Sequence, residues 1–456
     1  MKSYELKPTN ENLCKAYRGD MVGRNNDIKF FAEMLNSLTN FCSIAIDGYW
    51  GSGKTFFVKQ VKMFMDAQNE FITTMDEKHK NIFKDSSNEN ITYLPQVSVY
   101  YDAWENDNDS DPILSLIYSI ISNVDTDFSL KNDDGCIKKA ASILELFTGK
   151  NWTELVECFK NEDPLDTIRK NKDIEEKIKA FLDSLLEERG DRLIVFIDEL
   201  DRCKPSYAVK LLERIKHYFT NDRITFVFSI NTLELQHTIK KFYGEDFEAC
   251  RYLDRFFDLR ISLPPVDKKK YFNSINFDDS QYLYDKLCGT VIDYFGFELR
   301  EIGKYIRLAK IAAEAPTHDS KKYGFYFSDD KAKLFCLIYI VPIMIGLKIF
   351  NTNQYNAFIS GKDCSPLINI VNRLENHYLG TLLNHNETFD ENDTDKEKTI
   401  VTIEEKLKEV YEAIFVTVYS RSVLCKSIGN CNFYAETKNW LLRIESLLST
   451  YATYNR

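Results

Sequence analysis

The stretch Gly48-Tyr49-Trp50-Gly51-Ser52-Gly53-Lys54-Thr55 decides the fold, because it fills every fixed position of a Walker A phosphate-binding loop. The apolar run Phe41 to Ile46 ahead of it predicts a strand. Phe56 to Phe64 behind it recurs with helical period, so the order is strand, glycine loop, helix. Gly48, Gly51 and Gly53 let the backbone turn tightly and aim its N–H groups at phosphate oxygens. The helix start adds a positive dipole end that favours an anion. Lys54 is expected to reach the β- and γ-phosphates of ATP and Thr55 to hold Mg²⁺ through its hydroxyl. Phe56 closes the nucleotide-binding set that begins at Gly48.

A second constellation points to hydrolysis. Leu193 to Ile197 is a continuous apolar run of the kind seen in a strand covered on both faces, and it ends in Asp198-Glu199. The carboxylates then lie at the strand's C-terminal end, where open α/β sheets place their ligands. Asp198 suits a Mg²⁺-holding role through water, and Glu199 is the candidate general base for an attacking water. The long separation of Lys54 from Asp198 requires an intervening strand and a large insertion.

The totals set the class. A chain of 456 residues accommodates about two or three domains and an ample core. With 44% hydrophobic and 28% charged residues it reads as globular rather than disordered. The net charge of −11 argues against general nucleic-acid affinity, which needs a basic face. The 11 cysteines form no C-x-x-C pair and no metal spacing, so reduced thiols in a cytoplasmic protein are expected. The N-terminal residues show no signal-peptide pattern. The strongly apolar segment Leu334 to Leu347 falls short of the ~18–20 residues that span a bilayer and carries Pro342. It is expected to be a buried helix or helix pair, and membrane association is not expected.

Along the chain, Gln96 to Tyr101 and Arg223 to Asn231 predict two further strands, and Tyr207 to Lys216 an amphipathic helix. Strands alternating with helices imply a three-layer α/β fold with a mostly parallel sheet. Residues 1–265 form this domain, with a helical insertion at about 107–190. Residues 266–318 read as a helical lid and 319–456 as a helical recognition domain, with His385 to Lys398 a solvated acidic loop.

With both motifs and their flanks in view, the chain resembles the KAP family of P-loop NTPases. The resemblance rests chiefly on Ile194-Val195-Phe196-Ile197-Asp198-Glu199-Leu200-Asp201-Arg202-Cys203-Lys204-Pro205. Tyr101-Asp102-Ala103-Trp104-Glu105, Arg251 to Phe256 and Leu263-Pro264-Pro265 follow in the family's order. The family usually has Asp where this chain has Glu199, which strengthens the case for a base. The transmembrane insertion of many relatives is absent. The resemblance implies that Gly23-Arg24 helps to hold adenine, although the pair equally suits an ordinary turn before a helix. It puts Asn231 at a sensor position, where capping the next helix is the alternative, and gives Arg300 the character of a lid sensor, where a solvated helix face is the alternative. Arginine fingers act in trans, so they imply a homo-oligomer. Arg202, Arg251 and Arg255 are the candidates, with Arg255 favoured. Asp102 and Trp104 either approach the γ-phosphate or serve as helix cap and core anchor.

Relatives of this soluble bacterial kind imply a role in anti-phage defence, with the C-terminal helices contacting a partner protein of the same system. The leading expectation is an oligomeric, Mg²⁺-dependent ATPase switch or motor. The alternatives are a nucleotide-gated scaffold with little hydrolysis and a nucleic-acid motor using Lys268-Lys269-Lys270 and Lys321-Lys322.

Overall fold

Two helices, α1 (Asn10–Arg18) and α2 (Asn25–Ser37), lead into β1 (Cys42–Asp47), the phosphate loop and α3 (Lys54–Gln68). The chain continues through α4 (Glu77–Lys84), β2 (Gln96–Asp102), α5 (Pro112–Val124), β3 (Arg192–Asp198), α6 (Pro205–Tyr218) and β4 (Ile224–Ile230). Then come α7 (Thr232–Tyr243), α8 (Ala249–Leu253), β5 (Leu259–Ser262) and α9 (Lys268–Ser274). The structure is a computed structural model. It describes residues 7–72, 75–84, 91–109, 111–124, 178–179, 182–183, 185–187, 189–219, 221–278, 282–314, 329–374, 377–383 and 403–453. The chain divides into two units, with the boundary between Tyr271 and Phe272.

In the first unit the strands form one parallel sheet in the order β2-β3-β4-β1-β5. The apolar runs explain why it forms. All seven residues of β3 and of β4 are buried, as a central strand covered on both faces requires. Alternation then splits each strand between two cores. Leu193, Val195, Ile197, Phe226 and Phe228 pack with α5, α6 and α7, whereas Ile194, Phe196 and Val227 pack with α2 and α3. Each fully buried side chain of this kind contributes roughly 1.5–3 kcal/mol. The result is the expected three-layer α/β arrangement. Most of the expected insertion at 107–190 lies outside the described residues; within it, α5 and the buried Ile178, Leu182 and Leu185 join the same core.

Strand β5 is absent from the sequence reading, and its residues explain why. It has four residues, Leu259 and Arg260 are exposed, and it carries no apolar run. It forms because Asp258 clamps Ser43: its backbone N–H donates to the Ser43 carbonyl (2.8 Å) and its Oδ2 accepts from the Ser43 N–H (2.8 Å).

The second unit is mainly helical: α10 (Leu283–Phe295), α11 (Leu299–Glu314), α12 (Asp330–Phe350), α13 (Thr352–Ile359), α14 (Ser365–Val371), α15 (His377–Leu383), α16 (Ile403–Tyr411) and, last, α17 (Ala435–Thr453). The apolar segment around Pro342 is one helix, longer than expected. α12 spans 21 residues and is long and apolar enough to cross a membrane, yet most of it is buried in the unit. Pro342 has no N–H, and the turn before it loosens to π geometry, with the Val341 N–H bonding the Cys336 carbonyl. Besides the expected helices the unit holds an antiparallel hairpin, β6 (Cys425–Ile428) and β7 (Cys431–Tyr434), which the sequence reading did not predict. Its turn is Gly429-Asn430, with Gly429 at φ 56°. A Cβ on Gly429 would strike the Leu383 backbone, so this position admits only glycine. The acidic segment 385–398 lies outside the described residues.

Candidate nucleotide site

The site assembles at the C-terminal edge of the parallel sheet. β1 ends at Asp47, and the loop turns through Gly51 (φ 88°) and Gly53 (φ 91°), values L side chains rarely adopt. The Gly48 N–H is held by the Ile230 carbonyl at the end of β4 (3.1 Å), and Ser52 Oγ donates to the Tyr49 carbonyl (2.7 Å). α3 starts immediately after, so its first N–H groups face the loop cavity. Lys54 Nζ folds back over the loop and donates to the carbonyls of Gly48 (2.5 Å) and Tyr49 (3.2 Å). Burial lowers the Lys54 pKa, and the charges of Asp201, Asp198 and Glu199 work against that shift. Phe56 lies partly buried against the α2–α3 core.

Two segments distant in sequence meet where the sequence reading expects the metal. Thr55 Oγ1 donates to Asp198 Oδ2 at 2.6 Å, and Asp198 is 1% exposed. The same oxygen accepts from Tyr100 Oη at 2.9 Å, and Asp198 Oδ1 accepts from the Glu199 N–H at 3.0 Å. A hydroxyl beside a buried carboxylate is the hard-oxygen donor pair that Mg²⁺ takes while keeping most of its waters. Among the described residues no group of three His, Cys, Asp or Glu side chains could hold a metal ion, and the cysteines there are free thiols.

Glu199 sits in the left-handed region at φ 62°. Its carboxyl is pushed up to about 7, first by burial and then by the Asp198 charge, while Arg202 works the other way. Arg202 Nε lies 2.5 Å from Glu199 Oε2, so Arg202 is committed within its own chain. Asp102 pairs in register with Asp198, and its Oδ1 accepts from the Glu105 N–H (3.0 Å), so it caps the following turn. Trp104 is 53% exposed and is no core anchor.

Other expected site residues fall elsewhere. Arg24 is buried and donates from Nη1 to the Ser52 carbonyl at 2.9 Å, so it braces the phosphate loop. Asn231 Oδ1 caps α7, accepting from the N–H groups of Leu233 (3.2 Å) and Glu234 (3.5 Å). Arg255 is exposed and precedes Asp258, which clamps the first residues of β1. It therefore stands at the sheet edge opposite the phosphate loop of its own chain, because strands β1 and β5 run parallel. Arg251 is exposed on the same stretch, and Arg300 begins α11 in the second unit.

Sequence reading missed Tyr100 and Lys59. Lys59 Nζ lies 4.1 Å over the Tyr100 ring, and burial lowers its pKa against Asp198, Asp102 and Glu105. The available signal was strand period: Tyr100 shares a sheet face with Asp102, two residues on.

Residues 24–282, more than half of the chain, match the KAP family P-loop domain. No curated protein matches the chain. Among solved structures, the Aeropyrum pernix ORC2 protein, described as ADPNP–ADP complexes, aligns over 94% of this chain and 95% of that chain. Its identity is 12% and its TM-score 0.31, a likeness too distant to carry any argument.

Proposed function

Because the chain belongs to the KAP family of P-loop NTPases, a nucleotide-binding fold, we propose that it is a Mg²⁺-dependent ATPase working as an oligomeric switch or motor. The observation that carries this is the 2.6 Å contact of Thr55 with Asp198, which joins the phosphate loop to the carboxylate-bearing strand. Thr55, through its hydroxyl, and Asp198, through water, would hold Mg²⁺ there, and the ion would supply neutralisation of phosphate charge. Lys54 exchanges its Gly48 and Tyr49 carbonyl partners for phosphate oxygens. Glu199 accepts a proton from the attacking water, and the Asn231 amide steadies that water from the end of β4.

Arg255 lies at the end of the sheet opposite its own chain's loop, so a contribution from it to hydrolysis requires a second copy. Residues 266–318 serve as lid and 319–456 as the surface for a partner protein. The setting we infer is cytoplasmic anti-phage defence, on the family resemblance. The test is ATP turnover of Lys54→Ala, Glu199→Gln and unaltered protein over a concentration series. Turnover per subunit should rise with concentration and vanish in both variants.

The scaffold reading is favoured by one observation, the commitment of Glu199 to Arg202. Tight ATP binding with no turnover at any concentration would select it.

A further inference from the structure

Next to the phosphate loop lies an arrangement that the chemistry above does not use. Arg202 Nε is 2.5 Å from Glu199 Oε2, and the guanidinium carbon lies 5.5 Å from the Trp50 ring and 5.6 Å from the Trp104 ring. Trp50 Nε1 in turn donates to Asp201 Oδ2 at 2.6 Å. The phosphate loop, the turn after β2 and the turn after β3 thus converge on one guanidinium. Neither indole is core filling, since Trp50 is 44% and Trp104 53% exposed.

Local geometry explains the pairing. Leu200–Arg202 is a 3₁₀ turn entered from Glu199, whose carbonyl accepts from the Arg202 N–H (3.1 Å), so the turn brings the two residues together. The left-handed backbone of Glu199 sets its carboxylate at the start of this turn, under the Arg202 side chain. Two aromatic faces then hold the cation by charge–quadrupole attraction, which resists a swing away from Glu199. A carboxylate engaged by a guanidinium is a poor acceptor for a proton from water. Trp50 adjoins Gly51 within the phosphate loop, so one residue of that loop touches both Asp201 and the Arg202 guanidinium.

We propose that Arg202 is a positioning residue that holds the Glu199 carboxylate back from the attacking water, and that Trp50 ties this hold to occupancy of the phosphate loop. The proposal rests on the hydrolysis reading of Glu199.

The experiment uses the full chain and its Arg202→Ala and Arg202→Lys variants, with ATP turnover and intrinsic tryptophan fluorescence measured as Mg–ATP is added. Arg202→Ala should raise kcat about threefold to tenfold with KM within about twofold, a split that a merely structural residue does not produce. The nucleotide-dependent fluorescence change of the unaltered protein should disappear in the same variant. Arg202→Lys keeps the charge and loses the planar stack, so it should fall between the two. A kcat that drops in Arg202→Ala, or a fluorescence change that persists unaltered, overturns the proposal. If Arg202→Ala does not fold, Arg202→Lys decides, and unaltered kcat and fluorescence there overturn it. Turnover no faster than a Glu199→Gln control would refute the hydrolysis reading alone, and fluorescence would still decide the coupling.

Discussion

Tyr100 donates its phenolic hydrogen bond, at 2.9 Å, to the same Asp198 oxygen that accepts from Thr55. The phenol thereby fixes the orientation of the buried Asp198 carboxylate from a neighbouring strand. Tyr100→Phe removes this bond without opening a cavity. It should weaken Mg–ATP binding about threefold to tenfold, the effect of about 1 kcal/mol for one hydrogen bond. Titration with a fluorescent ATP analogue at fixed Mg²⁺ measures it; unaltered affinity would dismiss the positioning role.

Glu199 gives folding stability a definite pH dependence in metal-free buffer. Its carboxyl rises from an ordinary 4.5 to about 7 in the folded chain, chiefly through burial. The folded state therefore binds this proton more tightly than the unfolded state does. The contribution to stability is fully present below about 4.5 and is lost as pH rises through about 7. Glu199→Gln, which has no proton to lose, should flatten that part of the profile in chemical denaturation at a series of pH values. A slope identical in the variant would mean that another group is responsible.

Asn231 separates capping from chemistry. Its Oδ1 holds the start of α7, so Asn231→Ala should cost about 1 kcal/mol of stability. Asp caps helices as well as Asn does, but it lacks the amide donor. Asn231→Asp should therefore melt close to the unaltered protein while losing about tenfold or more in turnover. Equal turnover would leave Asn231 as a cap alone.

Arg255 lies at the sheet edge opposite its own phosphate loop, so its variant should be rescued by mixing. Arg255→Ala should bind ATP normally and turn it over about 10³-fold more slowly, on the scale of arginine fingers elsewhere. Mixing these subunits with Lys54→Ala subunits should restore part of the activity. No recovery in the mixture would count against a trans role.

Gly429 should tolerate no side chain. Alanine there meets both a left-handed φ of 56° and the Leu383 backbone. Gly429→Ala should cost about 2–4 kcal/mol. Calorimetry of the full chain measures this, and an unshifted transition would contradict the close packing.

The sequence alone determined the phosphate loop and the β3 strand. Their chemistry is local: consecutive residues set the loop's glycine conformations, and an unbroken apolar run is what a strand buried on both faces needs. β5 and the β6–β7 hairpin escaped it, because a four-residue edge strand and a short hairpin carry too little apolar pattern to stand out. Tertiary structure decided the rest of the site. Tyr100 reaches Asp198 only because register sets Asp102 beside Asp198. Arg202 meets Trp50 and Trp104 only because three separate segments end at one sheet edge. Arg255, just ahead of the β5 strand, lies at the other end of the sheet because the strands run parallel. Register and strand direction arise from pairing between segments far apart in sequence, so no single segment contains them.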